Sequence, residues 1–305
     1  MLGIVLINYK NSNEVISYIK NEVEKISTTN KIIIVDNSCD ENELNYLYSE
    51  LNASLVCKQH TDLSSQIFIY KAEKNLGFAK ANNLGAYFLI KNFANIQYLL
   101  FSNSDIKFVD DNIVEKLVFK FNELPQSIAA LNPRIIGSDG NDQTPYRKSS
   151  FFLTMIIYYL FFPLVYFFYR NYLIKNAKEG TYYHLLGCFL MVRKKSFIEI
   201  SGFDENTFLY VEEEILAERM LQKDLRSYYY PTCSIIHETG GTTKLHLKNG
   251  FARKLFYKNY IYYFHKYRHI PLWLIYIGKV SGTFFFMFYN PLLIFFQKTY
   301  ANRNK

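Results

Sequence analysis

The sequence predicts an α/β fold, a mostly parallel sheet flanked by helices, and three observations carry that prediction. Short apolar runs alternate with longer stretches of helical character through the first hundred residues, the pattern of strand–helix–strand units joined by right-handed crossovers. The run Lys31–Val35, KIIIV, is apolar after its first residue, as a strand covered on both faces should be. Polar residues follow the runs directly, at the strand ends where open α/β sheets bind ligands.

Taken in order, Leu2–Asn8 is the first strand, Asn13–Ile26 an amphipathic helix, and Lys31–Val35 the second strand, closed by Asp36-Asn37-Ser38. Gln66–Lys71 and Tyr98–Ser102 supply two further strands, with a helix over Phe78–Lys91 between them. This order gathers Asn8, Tyr9, Asp36, Asn37, Asn103 and Asp105 on one rim of the sheet. Beyond residue 140 the pattern changes. Phe151–Tyr169 holds no charged residue over 19 positions, between Arg147, Lys148 and Arg170. As a helix it would measure about 28 Å, barely a bilayer core. One crossing there would separate Asp105 from the acidic residues after it, so an interface-lying hairpin broken at Pro163 is expected, with Tyr158, Tyr159, Tyr166 and Tyr169 at headgroup level. A buried core helix is the competing reading. The basic amphipathic stretch Arg253–Arg268 and the apolar stretch Pro271–Phe296 read as attachment to an anionic leaflet. The expected division is a catalytic region at 1–245, with the aromatic insert at about 147–178, and a helical attachment region at 246–305.

The 305 residues carry a formal charge of +8, which suits nucleic acid, an anionic membrane or a phosphorylated substrate. Phe and Tyr, 27 of each, cluster in long apolar runs instead of alternating with Lys and Arg, and no RNP or helix-turn-helix pattern is present, so no nucleic-acid partner is expected. Cys39, Cys57, Cys188 and Cys233 form no CxxC pair, which points to reduced thiols. The N-terminus shows no secretory leader, so the expected location is the cytoplasm, peripherally on the inner face of the membrane.

The chemistry concentrates in Gly202–Arg219, GFDENTFLYVEEEILAER. Glu212, Glu213 and Glu214 sit beside Phe208, Leu209, Tyr210 and Val211, and crowded carboxylates against apolar surface acquire the raised pKa of a general base. An acidic triplet alone is commonly a solvated helix face. Asp36 ends a buried strand, where a carboxylate can accept from a ribose hydroxyl or a nucleobase N–H; Asp, Asn and Ser are also ordinary turn formers. Gly77 opens a helix whose free N–H groups would favour negative charge, although neither a Walker loop nor GxGxxG is present. Asp105 follows Phe101-Ser102-Asn103-Ser104. One or two such carboxylates suffice for Mg²⁺ or Mn²⁺ on a diphosphate, and His237 could be a second ligand.

In this order the motifs INY, VDNS, NLGFAKANN, FSNSD, NPRI, GCFLMVR, GFDENTFLYVEEE, IIHETGGTT and Lys258-Asn259 resemble the inverting family 2 glycosyltransferases of GT-A fold, especially their bacterial rhamnosyltransferase-like branch. The resemblance spans about residues 2–265. It implies a Rossmann-like GT-A domain with C-terminal amphipathic, membrane-associated helices. It implies donor contacts at Asn8, Tyr9, Asp36, Asn37, Gly77, Asn83, Asn103 and Asp105, and a divalent cation held by Asp105 and His237. Glu212-Glu213 stand at the family's Glu-Asp pair, Glu213 as the base, with Tyr210 and Arg219 on the acceptor side and Phe189 either walling that pocket or in the core. The implied donor is a nucleotide-diphosphate sugar and the implied acceptor a polyprenyl-diphosphate-linked saccharide of O-antigen or capsule biosynthesis. Three positions depart from the pattern: Glu213 for Asp, Ile215 where another Asp is common, and Asn103 where a first aspartate often stands. The last two motivate an alternative, a catalytically inactive nucleotide-sugar-binding or scaffold protein.

Overall fold

The computed structural model describes residues 1–57, 61–162, 172–238 and 249–293. Strands β1 (Leu2–Asn8) and β2 (Asn30–Asp36) pair in parallel from Leu2 with Asn30 to Asn8 with Asp36. Their side chains alternate between two cores. Ile4, Ile32 and Ile34 fall in one, with α1 (Ser12–Asn21) and α2 (Glu41–Leu51); Val5, Ile33 and Val35 fall in the other, with α3 (Gly77–Asn92). This two-sided burial is why the second run is apolar throughout. The first helix is shorter than its amphipathic stretch, because a 3₁₀ turn, Val23–Lys25, takes up the remainder.

The sheet continues through β3 (Ser54–Leu55), β4 (Ile67–Lys71), β5 (Tyr98–Ser102), β6 (Ile106–Phe108) and β7 (Ile128–Gly137), which follows helix α4 (Ile113–Glu123). A π-helical turn, Phe152–Ile157, runs into the short helix α5 (Tyr158–Leu160). Then come β8 (Gly180–Tyr182), β9 (Phe189–Arg193), α6 (Lys194–Glu199), α7 (Glu212–Leu221) and β10 (Arg226–His237). Among the described residues the strand order is β3-β4-β2-β1-β5-β9-β7-β10-β6, with β8 on β10. Strands β1 to β5 pair in parallel, as do β7 and β10, while β9 lies antiparallel between β5 and β7. This mixed but mostly parallel sheet is the predicted α/β architecture.

Helix α8 (Asn249–Lys266) and helix α9 (Leu272–Phe284), which continues as a π turn over Phe285–Tyr289, complete the described chain. They build a third core. Met155, Ile156, Tyr159 and Phe162 pack against Tyr260, Tyr263 and Phe264 of α8 and against Ile275 and Phe285. Over its described part, one face of the expected hairpin is therefore packed on protein, the position of Tyr159 at headgroup level included. Tyr159 is 5% exposed and stands edge-on to Tyr257 and Phe285, because α8 and α9 offer it aromatic partners that lipid would otherwise replace. Pro163, Tyr166 and Tyr169 lie outside the described residues. Exposed apolar surface remains on this stretch at Phe152, Leu153 and Phe161, and gathers on α9 and its continuation at Leu272, Trp273, Tyr276, Val280, Met287 and Phe288. The span Leu272–Leu293 is long and apolar enough to cross a membrane by length and composition. Helix α8 turns an aromatic face inward and exposes Lys254, Lys258 and Lys266.

Candidate active site

The rim assembled by β1, β2 and β5 opens onto a cavity of about 510 Å³, within the range of small-molecule sites. Its walls include Tyr9, Asn37, Gly77, Asn103, Asp105, Tyr210, Glu212, Glu213 and His237. Residues more than a hundred positions apart thus meet at one place, as the rim argument requires.

The carboxylates occupy one wall. Helix α7 begins at Glu212 directly after Tyr210 and Val211, whose φ angles of 77° and 72° are left-handed. Non-glycine residues adopt this conformation at a cost, so surrounding bonds must hold it. Because successive helical residues rotate by about 100°, the three glutamates part ways. Glu212 and Glu213 line the cavity, whereas Glu214 turns into the third core and accepts from the Tyr260 hydroxyl at 2.6 Å. Glu213 Oε1 accepts from the Gly187 N–H at 3.1 Å, and a Cβ at Gly187 would stand 2.9 Å from that oxygen. Glycine there permits the approach. Glu212 Oε1 is buried without a hydrogen-bond partner among the described residues.

Burial, reinforced by the Glu213 charge, holds the Glu212 carboxyl well above the ordinary range. Burial and then the charge of Glu214 raise Glu213. His184 stacks on Tyr146 at 4.7 Å, and burial pushes its imidazole down to about 4, so it is neutral near pH 7. Two raised carboxyls side by side are a proton-accepting pair whose members titrate together.

Opposite them, β10 ends at His237 and the turn after β5 carries Asp105. Asp105 Oδ1 is buried with no hydrogen-bond partner among the described residues, and His237 Nε2 lies 3.3 Å from it. Gln143 Oε1 is 2.7 Å from His237 Nδ1, which assigns the ring proton to Nδ1 and leaves the Nε2 lone pair facing the carboxylate. Two electron-pair donors facing one another is the arrangement a cation resolves, so this pair fits Mg²⁺ or Mn²⁺. Among the described residues no group of three or more His, Cys, Asp or Glu could hold a metal. The remaining ligands would be water and phosphate oxygens, as hard cations on diphosphates accept. Glu14, which accepts from the Ser104 hydroxyl at 3.2 Å, is raised by burial and in part by the Asp105 charge.

Four expected contact residues do not line the cavity. Asn8 is buried and donates to Asp36 Oδ1 at 2.9 Å, and Asp36 Oδ1 also accepts from the Ser38 N–H; the pair braces the rim from beneath. Asn83 bonds both ways with the Phe203 backbone, at 2.9 Å each, fixing the loop that carries the acidic motif. Arg219 donates to the Gly202 carbonyl at 2.7 Å. Phe189 is core, edge-on to Phe108. Two of the N–H groups expected free at the start of α3 are also committed. Gly77 N–H donates to Asn75 Oδ1 and Phe78 N–H to the Phe208 carbonyl. Ile215 is wholly buried in the third core with Tyr263 and Phe264, so its departure from the family pattern is a packing choice. Sequence reasoning missed Gly187 and Gln143. The first lies in a motif already singled out, GCFLMVR, and the second has no sequence signal.

Residues 4–201 match the sequence model of glycosyl transferase family 2. An N-acetylglucosaminyl-diphospho-decaprenol L-rhamnosyltransferase of Mycobacterium tuberculosis is 34% identical over 59 residues, 19% of either chain, so the chain spans about a fifth of that relative's length. The mannosyltransferase PcManGT of Pyrobaculum calidifontis, solved with GDP-Man and Mn²⁺, superposes with a TM-score of 0.55 at 9% identity, covering 96% of this chain and 71% of that one. GalNAc-T7, solved with UDP, GalNAc and Mn²⁺, superposes at 0.52 with 15% identity, covering 78% of this chain and 44% of that one. These two likenesses concern the fold, which is GT-A. With residues 4–201, more than half of its length, matched by the family's sequence model, the chain belongs to glycosyl transferase family 2.

Proposed function

We propose that this protein is an inverting, metal-dependent glycosyltransferase that moves a sugar from a nucleotide-diphosphate donor to an acceptor hydroxyl. The observation that carries the reading is the shared cavity, with paired raised carboxylates on one wall and a two-donor cation site on the other. Glu213 takes the acceptor hydroxyl's proton. Its raised pKa and its bond to Gly187 N–H suit a base held in one place. The acceptor oxygen attacks the anomeric carbon from the face opposite the departing diphosphate, so the single displacement inverts the centre. A cation held by Asp105 and His237 would act as a Lewis acid for the charge growing on the diphosphate. Of the residues that line the cavity, Tyr9, Asn37, Gly77 and Asn103 would meet the donor and Tyr210 the acceptor.

The finer reading is transfer of rhamnose to a polyprenyl-diphosphate-linked saccharide, in the making of a bacterial surface polysaccharide such as O-antigen or capsule. The short match to the mycobacterial rhamnosyltransferase supports it. So does the exposed apolar face of α9 beside the basic residues of α8, which suits peripheral attachment to the inner, anionic leaflet where such an acceptor lies. Lys279 in the middle of α9 disfavours a span through hydrocarbon. The test is nucleoside-diphosphate release from dTDP-, UDP- and GDP-sugars with Mn²⁺ or Mg²⁺, using acceptor-containing membrane extract and Glu213→Gln as control. Metal-dependent release from one donor, lost in the variant, is expected; no release from any donor refutes the reading.

A further inference from the structure

The left-handed pair Tyr210–Val211 aims Glu212 and Glu213 into the cavity, yet neither residue favours positive φ, and valine, branched at Cβ, favours it least. Something must hold the turn. From one side it is Gly77–Phe78, where the Phe78 N–H reaches the Phe208 carbonyl at 2.8 Å. From the other it is Asn259 on α8. This residue is 3% exposed, and its Nδ2 donates to the Leu209 carbonyl at 2.8 Å and to the Tyr210 carbonyl at 3.0 Å. Both amide hydrogens are thus spent on consecutive carbonyls at the point where the chain turns left-handed. An extended or right-handed Tyr210 would swing its carbonyl away and leave a buried N–H unpaired, a costly outcome. The Lys258-Asn259 motif has no other role in the chemistry described above, since Asn259 does not line the cavity.

We propose that Asn259 is a positioning residue for the reaction, holding the Tyr210–Val211 turn left-handed so that the carboxylates of Glu212 and Glu213 face the acceptor. Helix α8 is then part of the catalytic apparatus as well as a support for α9. The inference rests on the glycosyltransferase reading for its catalytic half and on geometry alone for its conformational half.

The experiment is a double-mutant cycle with a conformational readout. Asn259→Ala removes both bonds, and Asn259→Asp keeps the shape but donates neither. In Val211→Gly the second residue of the turn, the β-branched one, adopts positive φ at no steric cost. Asn259→Ala and Asn259→Asp are expected to lower kcat about 30-fold or more in the wild-type background with donor KM nearly unchanged, the signature of lost transition-state positioning. In the Val211→Gly background the same substitutions should cost about threefold or less. An equal loss in both backgrounds overturns the proposal, as does an unchanged kcat. Hydrogen exchange of the 208–215 amides is measured in parallel. Asn259→Ala should speed it at least tenfold relative to the amides of β1 and β2, and unchanged exchange also overturns the proposal. If the wild type releases no nucleotide from any donor, the glycosyltransferase reading fails, and exchange still decides whether Asn259 holds the turn.

Discussion

Glu212 and Glu213 share a wall of the cavity but not an environment. Glu213 Oε1 accepts from the Gly187 N–H, whereas Glu212 Oε1 is buried with no hydrogen-bond partner among the described residues. Glu213→Gln, which keeps the Gly187 bond but cannot take a proton, should lower kcat by about 10²–10⁴, measured as nucleoside-diphosphate release. Gly187→Ala attacks the same bond from the other end. Its Cβ would crowd Oε1 at 2.9 Å, and a shift of about 1 Å in a reacting group costs roughly 10²-fold. The melting temperature should change little, because only the end of a side chain must give way. Glu212→Gln should act in opposite directions on activity and stability. Its carboxyl is raised in the folded protein by burial and by Glu213, so between the ordinary carboxylate pKa and the raised value the folded state binds more protons than the unfolded one. The contribution to stability is therefore present at low pH and is lost as pH rises through the folded pKa. Removing the charge should raise the melting temperature near pH 8 and flatten its fall between pH 5 and 8, while turnover drops. A thermal melt of both proteins across that range checks it.

At the scale of elements, the join between the acidic loop and α8 can be tested through Asp204. This carboxylate is 2% exposed and accepts from the hydroxyls of Tyr262 and Tyr267 and from the Asn206 N–H. Burial alone would raise its pKa, but those bonds outweigh burial and hold it well below the usual range. The stability it contributes is complete above the unfolded carboxylate pKa and is lost as pH falls through the folded one. Asp204→Asn should cost roughly 2–3 kcal/mol at pH 7, the loss of charge-assisted bonds, and should remove part of the acid sensitivity seen in urea unfolding at pH 3–5. The strands of the first hundred residues were legible because two-sided burial leaves continuous apolar runs. The aromatic stretch from Phe151 was not. A run facing lipid and a run facing Tyr260, Tyr263 and Phe264 have the same composition, and only tertiary contact separates them. The same limit applies within the site. Asp105, His237, Glu212 and Glu213 come together at the cavity as their order along the chain suggests, while Asn8, Asp36 and Asn83 bond beneath its rim, because a strand-end polar residue reads alike whether it points out or down. Gln143 selects the His237 tautomer from a loop with no pattern at all.

In the whole molecule α8 joins the loop beside the candidate cavity, through Asn259, to the exposed apolar helix α9, through Tyr257. Trp273, the chain's single tryptophan, stands 65% exposed near the start of α9, close to Tyr276, Val280 and the other outward residues, and makes the surface readable without a label. If this face enters an anionic leaflet, its emission should shift to the blue on adding vesicles rich in anionic lipid, and lipids brominated at shallow acyl positions should quench it more than those brominated near the chain ends. The exposed Lys254, Lys258 and Lys266 supply attraction that salt screens. Raising NaCl from 0.1 to 0.5 M should therefore weaken vesicle binding about tenfold, while zwitterionic vesicles bind little at either concentration. A tryptophan indifferent to both kinds of vesicle would leave the apolar face to a protein partner. Deep quenching that ignores salt would mean that α9 crosses the bilayer instead of lying along it, with the charge of Lys279 neutralised or paired inside.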